Sequence, residues 1–365
     1  MTDILKGFRD PEVARRLVDE IHRIATEPCT LMEVCGTHTM AIAKNGLRGL
    51  MPDTIKLLSG PGCPVCVTAN PDIDHAIEIA RQPGVVLTTF GDMMKVPGSY
   101  SSLSREKAEG RDVRIVYSPL DSLAIAEREP DKHVVFLGVG FETTAPTVAL
   151  TIREAARRSI PNWSALSLHK TVPGALEALV NDPEVRVTGF ILPGHVSTII
   201  GTAPYEFLAT KYGVPGVVTG FEPVDVLLGV WMLVKQLAEG RAEIEIAYGR
   251  GVEASGNLAA ITAIEQAFEP YDTEWRGIGV IPGTGLALRP EYAGFDARTR
   301  VPVTVPESRE IKGCQCGDVL RGVVLPFDCK LFGKGCTPEH PIGPCMVSSE
   351  GSCAAYYRYT DYGKE

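Results

Sequence analysis

Apolar positions along this chain follow two alternating spacings, which predict alternating helices and strands. Residues 10–26 carry an apolar residue every three or four positions, after Asp10 as N-cap and Pro11 at the first helical position. Short β-rich runs follow at 85–89, 113–117, 134–137, 165–168, 187–192, 214–219 and 278–281. Helical patterns lie at 72–81, 147–158, 224–239 and 254–268. This alternation is typical of parallel sheets in α/β domains.

The number of predicted strands indicates more than one sheet. We predict an α/β fold with two doubly wound, Rossmann-like parallel-sheet domains that flank a cleft. Residues 1–129 would hold an N-terminal helix and the first domain, 130–301 the second, and 302–365 a small cysteine-rich iron–sulfur domain against which the N-terminal helix could pack. Ligands of open α/β sheets bind beyond the carboxyl ends of the strands. Polar residues expected at such ends are Asp92, Lys95, His169, His195 and Glu222.

Composition and charge exclude several classes of protein. The 365 residues carry a net charge of −9 and scattered basic residues, which argues against a sequence-independent nucleic-acid surface. The charged N-terminus lacks the apolar core of a signal peptide. The longest apolar stretch, 224–234, is about half of the roughly 20 residues that span a membrane. We therefore expect a cytoplasmic protein that binds neither membrane nor nucleic acid. In a reducing compartment, metal binding or redox chemistry is the commoner use of its ten cysteines, although Cys29 lies outside any motif and is expected to be a small buried apolar residue.

The first motif is CGTHT at 35–39, between a short apolar run and a probable helix. The amides of a helix N-terminus stabilise a thiolate, so we expect a lowered pKa for Cys35 and a nucleophile or a soft-metal ligand. The alternative is a buried cysteine beside a hydrogen-bonded His38.

The second motif is GPGCPVC at 60–66, in which Cys63 and Cys66 are spaced for a disulfide or for two bonds to a metal. The flanking glycines and prolines predict a rigid, exposed loop. Because no second such pair stands at zinc-finger spacing, redox switching is favoured over structural zinc.

The third motif, at 135–146, reads as a strand, a glycine-rich turn and a helix start. It resembles the beginning of a dinucleotide fingerprint, but Thr143 stands in place of the third glycine. Helix capping by Thr143 and Thr144 and an anion or small-ligand site both stay open.

The fourth motif is the tail, where six cysteines lie among many glycines and prolines: Cys314, Cys316, Cys329, Cys336, Cys345 and Cys353. So short a segment cannot build a large core, which favours a metal centre. A cubane cluster with four ligands and a neighbouring dithiol accounts for six thiols, whereas a four-thiolate zinc site leaves two over.

Together, CGTHT, GPGCPVC, GFETTAP at 140–146 and the tail resemble the HypD family of NiFe hydrogenase maturation factors over nearly the whole length. The resemblance implies a scaffold that, with a small HypC-type chaperone, holds a transient Fe(CN)2CO iron centre while cyanide and carbon monoxide are attached. It also implies a HypE-type cyanide donor with HypF upstream. One departure is Lys95, where an arginine is expected; the charge is kept, but a bidentate anion contact is not.

The resemblance also implies roles for single residues. Cys35 would be the iron ligand, shared with the N-terminal cysteine of the partner, with His38 as support and Cys63 and Cys66 as a redox pair near the iron. The tail would hold a 4Fe–4S cluster beside a thiol pair, similar to ferredoxin:thioredoxin reductase. We assign Cys316 and Cys345 to the pair. The cluster ligands are assigned to Cys314, Cys329, Cys336 and Cys353.

The mechanism that follows is a hypothesis: electrons pass from the cluster through a dithiol to Cys63 and Cys66, and then to the iron or its incoming ligands. It requires these sites to line one path. Two other functions stay open at this point. One is an iron–sulfur oxidoreductase that acts on a small molecule in the inter-domain cleft, and the other is a nucleotide-dependent enzyme, which the incomplete glycine motif supports poorly.

Overall fold

The computed structural model describes residues 6–309 and 311–360. Residues 1–5 and 361–365 of the predicted first and third domains lie outside this range. The strands are β1 (Cys29–Glu33), β2 (Ile55–Ser59), β3 (Val85–Thr89), β4 (Val113–Ile115), β5 (His133–Gly138), β6 (Trp163–Ser167), β7 (Gly189–Pro193), β8 (Gly216–Thr219), β9 (Ile244–Ile246), β10 (Phe268–Trp275) and β11 (Gly279–Leu288).

Two parallel sheets confirm the predicted α/β class. The first has the strand order β2-β1-β7-β8-β9, and the second has the order β4-β3-β5-β6. The chain builds β1 and β2, crosses to the second sheet for β3 to β6, and then returns to complete the first. The predicted boundary near 129–131 falls between β4 and β5, which both pair with β3. The two sheets therefore do not divide the chain at that point.

The run predicted at 278–281 is a strand of a different kind. It belongs to β11, which pairs with β10 in an antiparallel hairpin outside both parallel sheets. Three residues, 276–278, join the two strands, with Gly277 at φ +75°. So short a connection can only join antiparallel neighbours, because a parallel pair needs a crossover of a dozen or more residues.

Helices cover the sheets, and the four helical patterns and the opening amphipathic helix of the sequence are confirmed. The α-helices are α1 (Pro11–Ile24), α2 (Gly36–Lys44), α3 (Pro64–Val67), α4 (Asn70–Ala80), α5 (Leu103–Ala108), α6 (Pro119–Arg128), α7 (Ala145–Arg158), α8 (Val172–Asn181), α9 (Gly194–Ile200), α10 (Glu206–Tyr212), α11 (Pro223–Ala238), α12 (Leu258–Ala267), α13 (Ala297–Arg300), α14 (Cys316–Leu320), α15 (Pro344–Val347) and α16 (Ser352–Tyr359). Short 3-10 helices lie at Lys6–Arg9, Leu47–Leu50, Gly91–Met93, Ala203–Tyr205, Pro290–Phe295 and Pro326–Asp328. None of the helices in the described ranges is both long and apolar enough to cross a membrane.

The cysteine-rich tail packs on the start of the chain, but not through the N-terminal helix as expected. The main contacts of α1 are with α11, whereas α16 lies on α2 and α15 on α3. The reason is that α1 buries its apolar stripe against a helix of the first sheet, in one cluster with β1 and β7. The tail instead joins the core between the two sheets, which runs from β5 and β7 through Cys63 and Cys66 to the tail cysteines.

Candidate functional site

A cavity of about 330 Å³ lies where the carboxyl ends of strands from both sheets meet. Its walls come from the segments after β1, β2, β3, β5 and β7, and from one residue of the tail. The lining includes Cys35, Thr37, Gly62, Asp92, Gly140, Thr143, Thr144, His195 and Glu350. The cleft expected from the strand-end residues is thus formed, and it holds the first motif.

Cys35 occupies the N-cap position of α2, directly beyond β1. Its backbone N–H donates to the carboxylate of Glu33 at 3.2 Å, and Thr39 donates its hydroxyl to the same carboxylate at 2.5 Å. Glu33 is fully buried, and burial raises the pKa of its carboxyl to about 7. The Cys35 thiol itself accepts no capping hydrogen bond. The local structure thus fixes the backbone of Cys35, and its sulfur lines the cavity with the backbone amides of Thr37 and His38 acting on it.

The predicted lowering of the Cys35 pKa is wrong for the protein without metal. Burial, together with the nearby Glu350 carboxylate, raises the pKa of the thiol to about 12. The backbone amides of Thr37 and His38 act in the opposite direction, as the helix N-terminus should, but burial outweighs them. A metal that binds here must therefore displace a proton from the sulfur.

His38 lies behind Cys35 and does not line the cavity. Its Nε2 is 2.9 Å from the carbonyl oxygen of Gly220 and 2.8 Å from the hydroxyl of Thr219, at the end of β8. The ring stacks on Phe221 with centroids 4.7 Å apart. Burial lowers the pKa of His38 to about 4, so the ring is neutral and donates from Nε2 to the carbonyl. The sequence alternative of a hydrogen-bonded histidine describes this geometry.

Cys63 is the N-cap of α3 and Cys66 lies within it, and Gly62, the residue before them, lies against the backbone of Cys35. A Cβ built on Gly62 would stand 2.1 Å from the Cys35 nitrogen, and the N–H of Gly36 donates to the Gly62 carbonyl at 2.9 Å. The loop is not exposed as predicted, because Cys63 and Cys66 are 4% and 0% exposed. The tail covers them, and the Cys66 sulfur is 3.9 Å from the carbonyl oxygen of Pro344.

All six tail cysteines line a single small cavity. The Cys316 and Cys345 sulfurs are 2.6 Å apart. Cys66 interacts with both Cys63 and Cys345, so it links the two thiol pairs. All ten cysteines have free thiols. The three places that carry the candidate chemistry therefore lie along one path, from the tail cavity through Cys66 and Cys63 to Cys35.

The chemistry of the tail cavity fits a multinuclear cluster. Contact with Cys316 and burial raise the pKa of the Cys314 thiol, and burial raises the pKa of the Cys336 thiol. Crowded, buried thiols of this kind gain when a metal takes the place of their protons. Among the described residues, no three His, Cys, Asp or Glu side chains converge as ligands of a single ion. A 4Fe–4S cluster does not require its ligands to converge on a single ion, because its cysteines are arranged around a cluster of several atoms.

The glycine-rich turn at 138–140 contributes Gly140 to the cleft cavity and is packed by neighbouring side chains. The hydroxyl of Thr144 fills the space beside Gly140, 1.7 Å from where a Cβ would stand, and donates to the Phe141 carbonyl at 3.2 Å. Thr144 holds the N-cap position of α7 without a side-chain capping bond, so the capping alternative is not borne out for this residue. Glu142 is buried and accepts from the Val172 N–H at 2.9 Å, and burial raises its pKa to about 7.

The strand-end candidates separate into two groups. Asp92 and His195 line the cleft cavity. His169 is buried under the hairpin beside the Ser167 hydroxyl at 3.1 Å, and burial lowers its pKa to about 4. Lys95 lines a separate surface groove, and Glu222 pairs with Arg9 at the surface. Only the first two therefore contact the space in which a ligand of Cys35 would lie.

Sequence reasoning missed the carboxylate that faces Cys35 from the tail. Glu350 accepts a hydrogen bond from the Thr37 hydroxyl at 2.7 Å and lines the cleft cavity. A Cβ on Gly36 would stand 2.6 Å from the Glu350 Cβ, so the two segments touch. No local pattern marks Glu350, because its role arises from the packing of the tail over the first motif.

Comparisons with known proteins agree with the motifs. A family model named HypD, described as the hydrogenase formation hypA family, matches residues 12–360. The hydrogenase maturation factor HypD of Rhodobacter capsulatus is 48% identical over 364 residues, which cover 96% of this chain and 97% of the relative. HypD of Cupriavidus necator is 45% identical, covering 97% and 96%. HypD of Escherichia coli K12 is 43% identical, covering 98% of each chain. These matches include all four motifs.

Proposed function

Because this chain belongs to the HypD family of hydrogenase maturation factors, we propose that it is the scaffold on which an iron atom receives two cyanides and one carbon monoxide. The observation that carries the proposal is the position of Cys35, whose sulfur makes no capping bond and which lines a cavity between the two sheets. Gly62, the residue before Cys63, lies against the backbone of Cys35, and Cys66 interacts with both Cys63 and the tail thiol of Cys345.

Cys35 anchors the iron as a thiolate, which suits a soft metal centre. The second anchor is the N-terminal cysteine of a HypC-type partner, which reaches the cavity from outside. The cavity of about 330 Å³ leaves room for diatomic ligands and for part of a partner. Glu33 holds the backbone of Cys35 in place, and the neutral ring of His38 supports α2 from behind. Cyanide comes from a HypE-type donor, with HypF upstream.

In the tail, Cys314, Cys329, Cys336 and Cys353 hold a 4Fe–4S cluster, and Cys316 and Cys345 form the neighbouring thiol pair. When bound, the cluster would supply single electrons. The 2.6 Å between the Cys316 and Cys345 sulfurs supports this partition of six cysteines, since a disulfide requires two sulfurs that lie close together.

The thiol pairs communicate by exchange, because Cys66 interacts with Cys345. A Cys345 thiolate attacks the Cys66 sulfur of a Cys63–Cys66 disulfide and forms a mixed disulfide, which Cys316 then resolves. One S–S bond breaks and one forms, so two electrons and two protons move to Cys63 and Cys66. This delivers reducing equivalents to the wall of the iron cavity.

Mild oxidation tests the assignment of the thiol pair. Treatment of the metal-free protein with diamide, which accepts two electrons and two protons, should join Cys316 to Cys345, because their sulfurs are 2.6 Å apart. Peptide mapping by mass spectrometry without reduction detects the link. The Cys316→Ser variant should lose it, and the matched Cys314→Ser variant should keep it. A dominant link between Cys314 and Cys316 would contradict the assignment.

Infrared spectroscopy tests the scaffold. Protein purified anaerobically after co-expression with a HypC-type partner should show cyanide and carbon monoxide stretching bands, because the iron stays bound to Cys35 and the partner. The alternative function, an iron–sulfur oxidoreductase that acts on a small molecule in the cleft, predicts no such bands. If a complex that contains both proteins and iron lacks these bands, the scaffold proposal is wrong.

We keep the cytoplasm as the proposed location, because ten free thiols suit a reducing compartment.

A further inference from the structure

The turn of the β10–β11 hairpin lies between the two thiol pairs. Trp275, the last residue of β10, forms an antiparallel bridge with Thr68, just after the Cys63–Cys66 pair. The N–H of Arg276 donates to the Val67 carbonyl at 2.9 Å. On its other side, Gly277 touches α14, since a Cβ there would stand 2.1 Å from the Cα of Gly317. The turn thus connects the loop near Cys35 to the helix that begins at Cys316.

Arg276 carries a buried positive charge at this junction. The residue is 5% exposed. Its Nε donates to the Thr68 carbonyl at 3.0 Å, whereas its Nη2 is buried and has no hydrogen-bond partner. Within 6–309 and 311–360, no carboxylate stands within ion-pair distance of its guanidinium. A buried charge without a counter-charge is strongly unfavourable. Because no carboxylate pairs with Arg276, the site implies an anion of another kind.

The tail thiols are the groups that can carry the missing negative charge. Arg276 is close enough to interact electrostatically with Cys314, one of the six cysteines that line the tail cavity. The contact between Gly277 and Gly317 brings the same turn next to Cys316. Four thiolates around a cluster would carry net negative charge in a buried place, and a cation beside them would offset it.

We propose that Arg276 is the counter-cation of the cysteine centre in the tail, held in place by the loop that follows Cys66. The proposal rests on the proposed cluster. It assigns two roles to one side chain: the guanidinium charge favours the more reduced, more negative state of the centre, and the bonds to Val67 and Thr68 fix that charge relative to the Cys63–Cys66 pair. Arg276 is a positioning and charge-compensating residue and does not touch the iron cargo.

The reduction potential of the iron–sulfur centre tests the role of Arg276. Wild type, Arg276→Gln, Arg276→Lys and the matched control Arg289→Gln are purified anaerobically, and their iron and sulfide contents are measured. Arg289 is partly exposed, follows the other end of the hairpin and donates to the Glu265 carbonyl. A potentiometric titration followed by electron paramagnetic resonance then gives the ratio of reduced to oxidised centre.

At the wild-type midpoint, Arg276→Gln should lower that ratio about tenfold, which is a shift of about −59 mV for one electron. Arg276→Lys keeps the charge and should stay within roughly threefold of wild type, and Arg289→Gln should match wild type. Full iron content with an unchanged ratio in Arg276→Gln overturns the counter-cation and leaves the scaffold and the cluster standing.

If Arg276→Gln loses its iron, the iron content and the reduction ratio of Arg276→Lys decide the test. Retained iron and a near-wild-type ratio in the lysine variant support the proposal, because the charge alone then suffices. Loss of iron from both variants overturns it, since a conserved charge should keep the centre. Zinc or no metal in the wild type overturns the proposed cluster together with its counter-cation.

Discussion

Replacement of Cys35 by alanine is expected to abolish the cyanide and carbon monoxide bands of the complex with a HypC-type partner. The sulfur is the side-chain atom that the scaffold proposal requires, and alanine keeps the Cβ and the backbone bonds to Glu33 and Gly62 that shape the turn. The thiol makes no capping bond to α2, so its loss should change the thermal midpoint by only a few degrees. Infrared spectra at equal protein concentration measure the effect.

Cys29→Ala is the matched control. Cys29 opens β1, the strand that Cys35 follows, and it is buried outside the cavity. The same chemical change at the other end of one strand should leave the bands in place. Bands that survive in Cys35→Ala, or that disappear equally in both variants, would refute the role of Cys35 as the iron ligand.

The sequence predicted seven strands and five of the longer helices, because each of these has a local signal. The strand at Val85–Thr89 coincides with its prediction, and the opening helix begins after Asp10 as its N-cap indicates. The strand β10 was missed, because Phe268–Trp275 contains a proline and several acidic residues, and its buried positions are few. The edge strand Ile244–Ile246 was missed because its apolar–polar alternation covers only three residues.

Strand pairing carries no such local signal. Cys29–Glu33 pairs with Gly189–Pro193, so two segments separated by the whole second sheet become neighbours. This pairing brings the turn after β1 to face the segment that holds His195. The sequence therefore predicted β3, β5 and β7 at the cleft but not β1 and β2, and it could not show which strands share a sheet.

The candidate chemistry was easier to predict than its surroundings. Cysteines with close spacing can be recognised in the sequence, and those of the first, second and fourth motifs lie along one path. The direction of the Cys35 pKa was predicted wrongly, because burial under the tail and the Glu350 carboxylate outweigh the helix amides. Glu350 and Arg276 have no motif of their own. Their places beside the thiols arise only when the tail and the hairpin pack onto the second motif.

Replacement of Gly62 by alanine is expected to have the largest effect on stability, because the added Cβ would overlap the backbone of Cys35, the proposed iron ligand. It would stand 2.1 Å from the nitrogen and 2.4 Å from the Cα of Cys35. Those atoms cannot move freely, because Gly36 donates to the Gly62 carbonyl and Cys35 donates to Glu33. The backbones must separate, at a cost of about 3 kcal/mol or more.

The matched control for this change is Gly49→Ala, where an added Cβ has no atom within 4 Å. Thermal unfolding at one scan rate should place the midpoint of Gly62→Ala on the order of 5 °C or more below wild type, and that of Gly49→Ala within about 2 °C. Any folded Gly62→Ala protein should also lack the infrared bands, because the turn that presents Cys35 is displaced. Equal midpoints for the two variants would mean that the loop before Cys63 does not pack on Cys35. That result would also contradict the proposed short path from the Cys63–Cys66 pair to the iron.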